Sequence, residues 1–234
     1  MKVIYEAPEF IIIDKPARMT VHRVKGVKNE NKDRGDRYLT DELVEIYPEL
    51  KTVGDDPEFR PGIVHRLDKD TSGVMVVPRS QEYFEYLKKL FQDKLVRKTY
   101  LALVYGEVKD DKGVIDKPIG LKGGTTKRTI HGGKMIKEAV TDYKVVRRFS
   151  GYTLLEVSPR TGRTHQIRVH LASIGHPIVG DDLYGGKKQK KSVLRADRQF
   201  LHAHSIDFDA APGHRVSFTS ELPEDLADLL KILV

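Results

Sequence analysis

Cysteine is absent from this chain. That excludes a disulfide framework and any thiolate metal site, and it fits a reducing compartment. Long apolar runs are absent too. Those present, such as FIII at 10–13, are far too short for a membrane-spanning helix. The opening MKVIYEAPEF has one lysine and no apolar core, so no signal peptide is expected. Neither G-x-x-x-x-G-K-S/T nor G-x-G-x-x-G occurs, which leaves nucleotide cofactors without support. H-E-x-x-H, internal repeats and low-complexity linkers are also missing. These absences predict a soluble cytoplasmic protein with no membrane association.

What is present is charge. Lys and Arg number 41 against 34 Asp and Glu, a formal net charge of +7 over 234 residues. A basic surplus points to a polyanionic partner, although ordinary solubility charge reads the same way. The surplus is clustered. RVKGVKNENKDRGDR (23–37) holds six basic and three acidic residues, and GGKKQKKSVLRADR (185–198) places four lysines in five positions at 187–191. Neither shows apolar periodicity, so both are expected as exposed loops that hold phosphates or are simply solvated.

The length allows one large domain or two small ones. Strands are expected at 2–5, 9–14, 73–78, 97–108, 138–149, 152–158, 200–208 and 214–219. Helices are expected at 40–50 with Thr40 as cap, at 80–94 capped by Ser80, at 164–175 and at 223–233. In the third helix, Ile167, Leu171 and Ile174 form the buried stripe and Gly175 the stop. The glycine pairs at 123–124, 132–133 and 185–186 read only as turns. Strands and helices do not alternate regularly. The expected class is therefore α+β, with a large mixed or antiparallel sheet flanked by helices and loops.

Four segments are over-specified for a plain scaffold: IIIDKPARMTVH (11–22), PGIVHRLDKDTSGVMVV (61–77), KTYLALVYGEV (98–108) and SPRTGRTHQIRVHLASIGHPIVGDDLYGG (158–186). In HRLDKDTSG, His65, Arg66, Asp68, Lys69 and Asp70 crowd together before a buried strand. This is either a charged loop capping itself or a carboxylate at a cleft edge, kept ionised by basic neighbours and fit to act as nucleophile or base. In THQIRVH, His165 and Arg168 share one side of a helix. That is either a solvated basic face or a phosphate grip with an arginine that pairs with a buried carboxylate. Tyr100 alternates with apolar neighbours, as a half-buried strand tyrosine does. His202 and His204 share a strand face, and Asp181 and Asp182 lie near His176, so a zinc or magnesium hydrolase is a separate class to weigh.

Together these segments resemble the RluA family of pseudouridine synthases, roughly over 10–208. The signature is His65-Arg66-Leu67-Asp68-x-x-Thr71-Ser72-Gly73. It is joined by Asp14-Lys15-Pro16, by Lys98-x-Tyr100-x-Ala102-x-Val104-x-Gly106, and by the run from Thr161 to Asp181. The resemblance implies the pseudouridine synthase catalytic fold with an RNA cleft across its sheet, and one catalytic domain spanning 1–234. It implies Asp68 as the essential aspartate, Tyr100 as the active-site tyrosine and Arg168 as the arginine pairing with that aspartate. Arg66 matches a position near the flipped nucleotide. Arg163, His165 and Gln166 match the segment lining the RNA cleft, and His65 belongs to the same RNA-facing set. Two positions depart from the pattern. Arg18 stands where the family motif usually has glycine, and the charged 23–37 loop replaces a short Pro/Gly-rich stretch after His22. Because the first motif starts near residue 11, the N-terminal RNA-binding domain of many relatives is expected to be absent.

The implied reaction isomerises uridine to pseudouridine in structured RNA, ribosomal or transfer. The N1–C1′ bond breaks through an oxocarbenium-like state, the uracil turns, and C5 joins C1′. Asp68 either attacks C1′ or removes a sugar proton. The target base must first be flipped out of its stack. No metal, nucleotide cofactor or obligatory protein partner is implied. The rival within the same fold is a non-catalytic RNA-binding protein.

Overall fold

The computed structural model describes residues 1–23, 37–125 and 127–233. In chain order the elements begin with β1 (Lys2–Glu6), β2 (Phe10–Lys15), α1 (Leu39–Ile46), β3 (Ser72–Pro78) and α2 (Gln81–Gln92). They continue with β4 (Arg97–Tyr105), β5 (Lys112–Asp116), β6 (Ile119–Leu121), β7 (Arg128–Thr129), β8 (Lys134–Lys137), β9 (Val140–Phe149) and β10 (Tyr152–Pro159). The last are α3 (Gln166–Ser173), α4 (Gly186–Lys191), β11 (Leu201–Ala211), β12 (His214–Thr219) and α5 (Glu224–Ile232). Two compact units result, Met1–Val96 with Ser205–Glu221 and Arg97–His204 with Leu222–Val234.

In the first unit the strands run β1-β2-β3-β11, with β12 on β11. Pairing of β2 with β3 is antiparallel from Phe10↔Pro78 to Lys15↔Gly73. Every residue of β3 is buried, as its continuous apolar run requires. Phe10 stacks on Tyr83 of α2 at 5.5 Å and meets Phe208 of β11 edge-on at 5.4 Å. Ser80 caps α2 by accepting from Tyr83 N at 3.2 Å. The helix expected at 40–50 is shorter. It ends at Ile46, and Pro48 opens a separate 3-10 turn over Pro48–Thr52, because proline excludes helical backbone at the residue before it. Thr40 is buried inside α1 and does not cap it. Asp41, the third helical residue, accepts from Tyr38 N at 3.2 Å instead. The basic loop expected at 23–37 lies, apart from Arg23 and Arg37, outside the described residues.

In the second unit the order is β11-β4-β10-β9-β5, and a small sheet runs β7-β6-β8. β4 and β10 pair antiparallel from Tyr105↔Tyr152 to Tyr100↔Val157. Leu103, Leu155, Val157, Leu171, Ile178 and Phe200 form the core between sheet and helices. Arg198 grips Asp225 through Nε (2.6 Å) and Nη2 (3.0 Å) and pins the first turn of α5. The α+β class and the large sheet are as expected. Three details differ. The turns read at 123–124 and 132–133 hold, but they join a three-stranded ribbon that was not expected; α4 replaces part of the loop expected at 185–198; and α3 is buried all round. Among the described residues no helix is long and apolar enough to cross a membrane.

Candidate active site

Asp68 sits in the first unit, at the mouth of β3. It opens a tight turn closed by Thr71 N on the Asp68 carbonyl at 3.1 Å, a position that aspartate favours. Exposure alternates along the loop. Arg66 is exposed, Leu67 is buried as the anchor, Asp68 is half-buried, Lys69 is exposed. The turn is held from behind by a residue of another segment. Lys15 is 0% exposed, and its ammonium donates to Pro16 O (2.7 Å), Met19 O (2.9 Å) and Lys69 O (3.0 Å). Three donors meet three carbonyls, which is how an ammonium can be buried at tolerable cost. Arg18, in the turn that follows β2, has φ 63. The position demands left-handed backbone, which explains why glycine is usual there and makes the arginine strained.

His65 is also held in place. Its ring stacks on Phe91 at 4.8 Å, and Nε2 accepts from Val76 N at 3.1 Å. Arg66 Nη1 lies 3.3 Å from His22 Nε2, and His22 Nδ1 lies 2.6 Å from the Arg23 carbonyl. Burial lowers the His22 pKa, and the nearby Arg66 and Arg60 charges act in the same direction, against the bond to the Arg23 carbonyl. A neutral His22 donates from Nδ1 and accepts Arg66 at Nε2, so it orients the arginine.

The second unit carries Tyr100, Arg163, His165, Gln166 and Arg168. Tyr100 is half-buried on β4 against the core. Lys98, two residues earlier, shares its face, and burial pushes its amine down to about 8. α3 starts from His165 in left-handed backbone, φ 58, a strained conformation of the kind functional sites store. Gln166 is 4% exposed. Its Oε1 accepts from Thr161 Oγ1 (2.7 Å) and Arg163 N (3.0 Å), and its Nε2 donates to Val140 O and Thr141 Oγ1, both at 3.0 Å. His170 Nδ1 bonds Thr141 Oγ1 at 2.8 Å and Nε2 the Lys117 carbonyl at 2.9 Å. Burial lowers its pKa, so a neutral ring donates to Lys117 and accepts from Thr141. Arg168 is 6% exposed and forms a two-pronged pair with Asp181, Nε to Oδ2 at 2.7 Å and Nη2 to Oδ1 at 2.9 Å. Arg163 is exposed and donates from Nε to Glu138 O at 3.0 Å.

Residues 9–173 match the family described as RNA pseudouridylate synthase. This chain belongs to that family. The ribosomal large subunit pseudouridine synthase D of Nitrosomonas europaea is 40% identical over 100% of the chain, which spans 65% of that protein. Its counterpart in Pseudomonas aeruginosa is 37% identical over 100% of the chain and 72% of that protein. Among solved structures, human RNA pseudouridylate synthase domain containing 4 has a TM-score of 0.75 at 24% identity, covering 99% of this chain and 92% of that one, a likeness of fold.

Within the pseudouridylate synthase family match, the structure adds residues to which the motifs assigned no role. Lys15 and Lys98 stand in the motifs Asp14-Lys15-Pro16 and Lys98-x-Tyr100, but nothing in the sequence showed what either does. Asp181 was weighed as a metal ligand. Its carboxylate instead takes Arg168 and the backbone N–H groups of Leu183 (2.9 Å) and Tyr184 (3.0 Å). His202 is buried, with its ring 6.4 Å from that of His204. Among the described residues no three His, Cys, Asp or Glu side chains gather as a metal site.

Proposed function

We propose that this chain isomerises uridine to pseudouridine in structured RNA, as one catalytic domain acting in the cytoplasm. The observation that carries the reading is the intact HRLDKDTSG turn, with half-buried Asp68 at its head, inside the family match. Asp68 is the nucleophile or base, and Tyr100 packs against the target base. The family resemblance pairs Arg168 with Asp68. Arg66, exposed and oriented by His22, fills the gap left by the flipped nucleotide. Arg163 and His165 face the RNA. His65 and Gln166, whose polar atoms bond within the chain, shape the RNA-facing loops. The names of the curated relatives favour large-subunit ribosomal RNA as substrate, with transfer RNA as the further possibility to assay.

The charge distribution supports an RNA partner. Residues 117–137, which contain β6, β7 and β8, hold six Lys and Arg and no Asp or Glu, leaving 35 against 34 in the rest of the chain. The ribbon is seated beside the predicted RNA-facing residues of its own unit, because Arg128 N donates to Tyr184 Oη (2.9 Å), which bonds His165 Nδ1 (3.0 Å). Such cations hold phosphates and make binding salt-dependent. The four strand-forming residues Lys134–Lys137 are all exposed.

The isomerisation is balanced without a co-reactant. The N1–C1′ bond breaks, C5–C1′ forms, C5 loses a proton and N1 gains one. The test is tritium release from ribosomal and transfer RNA transcripts labelled at uridine C5, with EDTA present. Stoichiometric release per transcript is expected. No release from any transcript would replace the enzyme with an RNA-binding protein of the same fold.

A further inference from the structure

We infer that Asp181 is the positioning residue of the reaction, setting the plane of the Arg168 guanidinium. The inference rests on the assignment of Arg168 to catalysis. A buried guanidinium needs a partner, and the geometry of this one is specific. Both carboxylate oxygens engage, Oδ2 with Nε (2.7 Å) and Oδ1 with Nη2 (2.9 Å). Fork-on-fork pairing fixes the plane of the arginine as well as its position. The carboxylate is itself clamped, since Oδ1 also accepts Leu183 N and Tyr184 N, and its main-chain carbonyl accepts Gly185 N at 2.7 Å. The Tyr184 ring lies 5.3 Å from the guanidinium carbon, and Tyr184 is held in turn by Arg128 N and His165.

Asp181 is 1% exposed and Arg168 6%. A buried ion pair is not the usual way to hold a helix in place, because apolar residues of similar volume often fill such a site at equal or better stability. The clamp gives something packing does not. It takes one donor edge of a long, flexible side chain and so fixes where the other edge presents. Donors aimed in advance at developing charge are the largest source of rate in many enzymes. Asp181 does this through Arg168 and touches no reacting atom.

The experiment is a cycle of full-length wild type, Asp181→Asn, Arg168→Lys and the double variant. Each is measured for single-turnover tritium release, RNA Kd and melting temperature. Asp181→Asn should slow the single-turnover step at least tenfold with RNA Kd within twofold, and the double variant should be no slower than Arg168→Lys alone. Should Asp181→Asn fail to fold, Asp181→Glu keeps the charge, moves the carboxylate by one methylene, and should show the same rate loss at unchanged Kd. A folded variant with the wild-type rate, or losses that multiply in the double variant, overturns the inference. A wild type that releases no tritium overturns the functional reading, and this inference falls with it.

Discussion

The turn that carries Asp68 and the helix that carries Arg168 are both rich in polar side chains, yet they are built in opposite ways. In the turn, residues 65–70 leave only Leu67 buried, and the ammonium that holds them comes from Lys15, far away in sequence. In the helix, six consecutive residues from Gln166 to Leu171 are buried, and the polar ones bond β9 or the loops beside it. A short segment rich in polar residues therefore has two meanings. Where apolar anchors are sparse it displays its side chains. Where partners of matching hydrogen-bond capacity lie on neighbouring strands it becomes core.

The comparison breaks most clearly at Lys15. Lys15→Met removes three charge-assisted bonds and strands buried carbonyls, so it should cost about 2–4 kcal/mol of stability. A urea midpoint equal to wild type would show that the turn holds itself. The unit that carries the helix is sharpened by pH at Lys98 on β4. Burial lowers the Lys98 amine to about 8 from 10.5. Below pH 8 both folded and unfolded chains carry that proton, and the burial penalty is present in full. Between about pH 8 and 10.5 the folded chain loses it while the unfolded chain keeps it, so stability rises with pH. Lys98→Met should therefore be more stable than wild type at pH 7, with the gap closing by pH 10. A constant gap in urea midpoints would contradict this. The smallest effect lies back in the first region. Arg18→Gly relieves left-handed backbone at φ 63 and should stabilise by roughly 0.5–1 kcal/mol, after the extra entropy of unfolded glycine is subtracted. A loss of stability would mean that the arginine side chain outweighs the strain.

Legibility in the sequence follows the same division. β2, β3, α2, β4, β10 and α5 were readable because each buries one continuous face or run, whereas β1 and β9, largely exposed, were readable from their strand-forming residues and flanking turns. The ribbon at 119–137 was not, since β8 is exposed on both faces and shows no alternation. Its glycines at 123–124 and Gly132 lie in turns with open space around them, as read, while Gly133 also serves close strand approach: a Cβ there would lie 2.6 Å from the Leu121 carbonyl oxygen. α3 showed its apolar stripe but not its buried polar face, because nothing local marks Thr141, Lys117 or Asp181 as the partners. The motif residues were legible as a set. Which of them display and which brace was not, as with Gln166, whose amide is occupied by Thr161, Arg163, Val140 and Thr141.

The most direct test of the account is Asp68→Asn beside wild type in the tritium-release assay, with RNA Kd measured on the same preparations. The backbone turn and the basic ribbon proposed to hold phosphates survive this change. The account predicts that release is abolished, by at least a thousandfold in rate, while RNA Kd stays within several-fold of wild type. An Asp68→Asn chain that turns over at a comparable rate would contradict it.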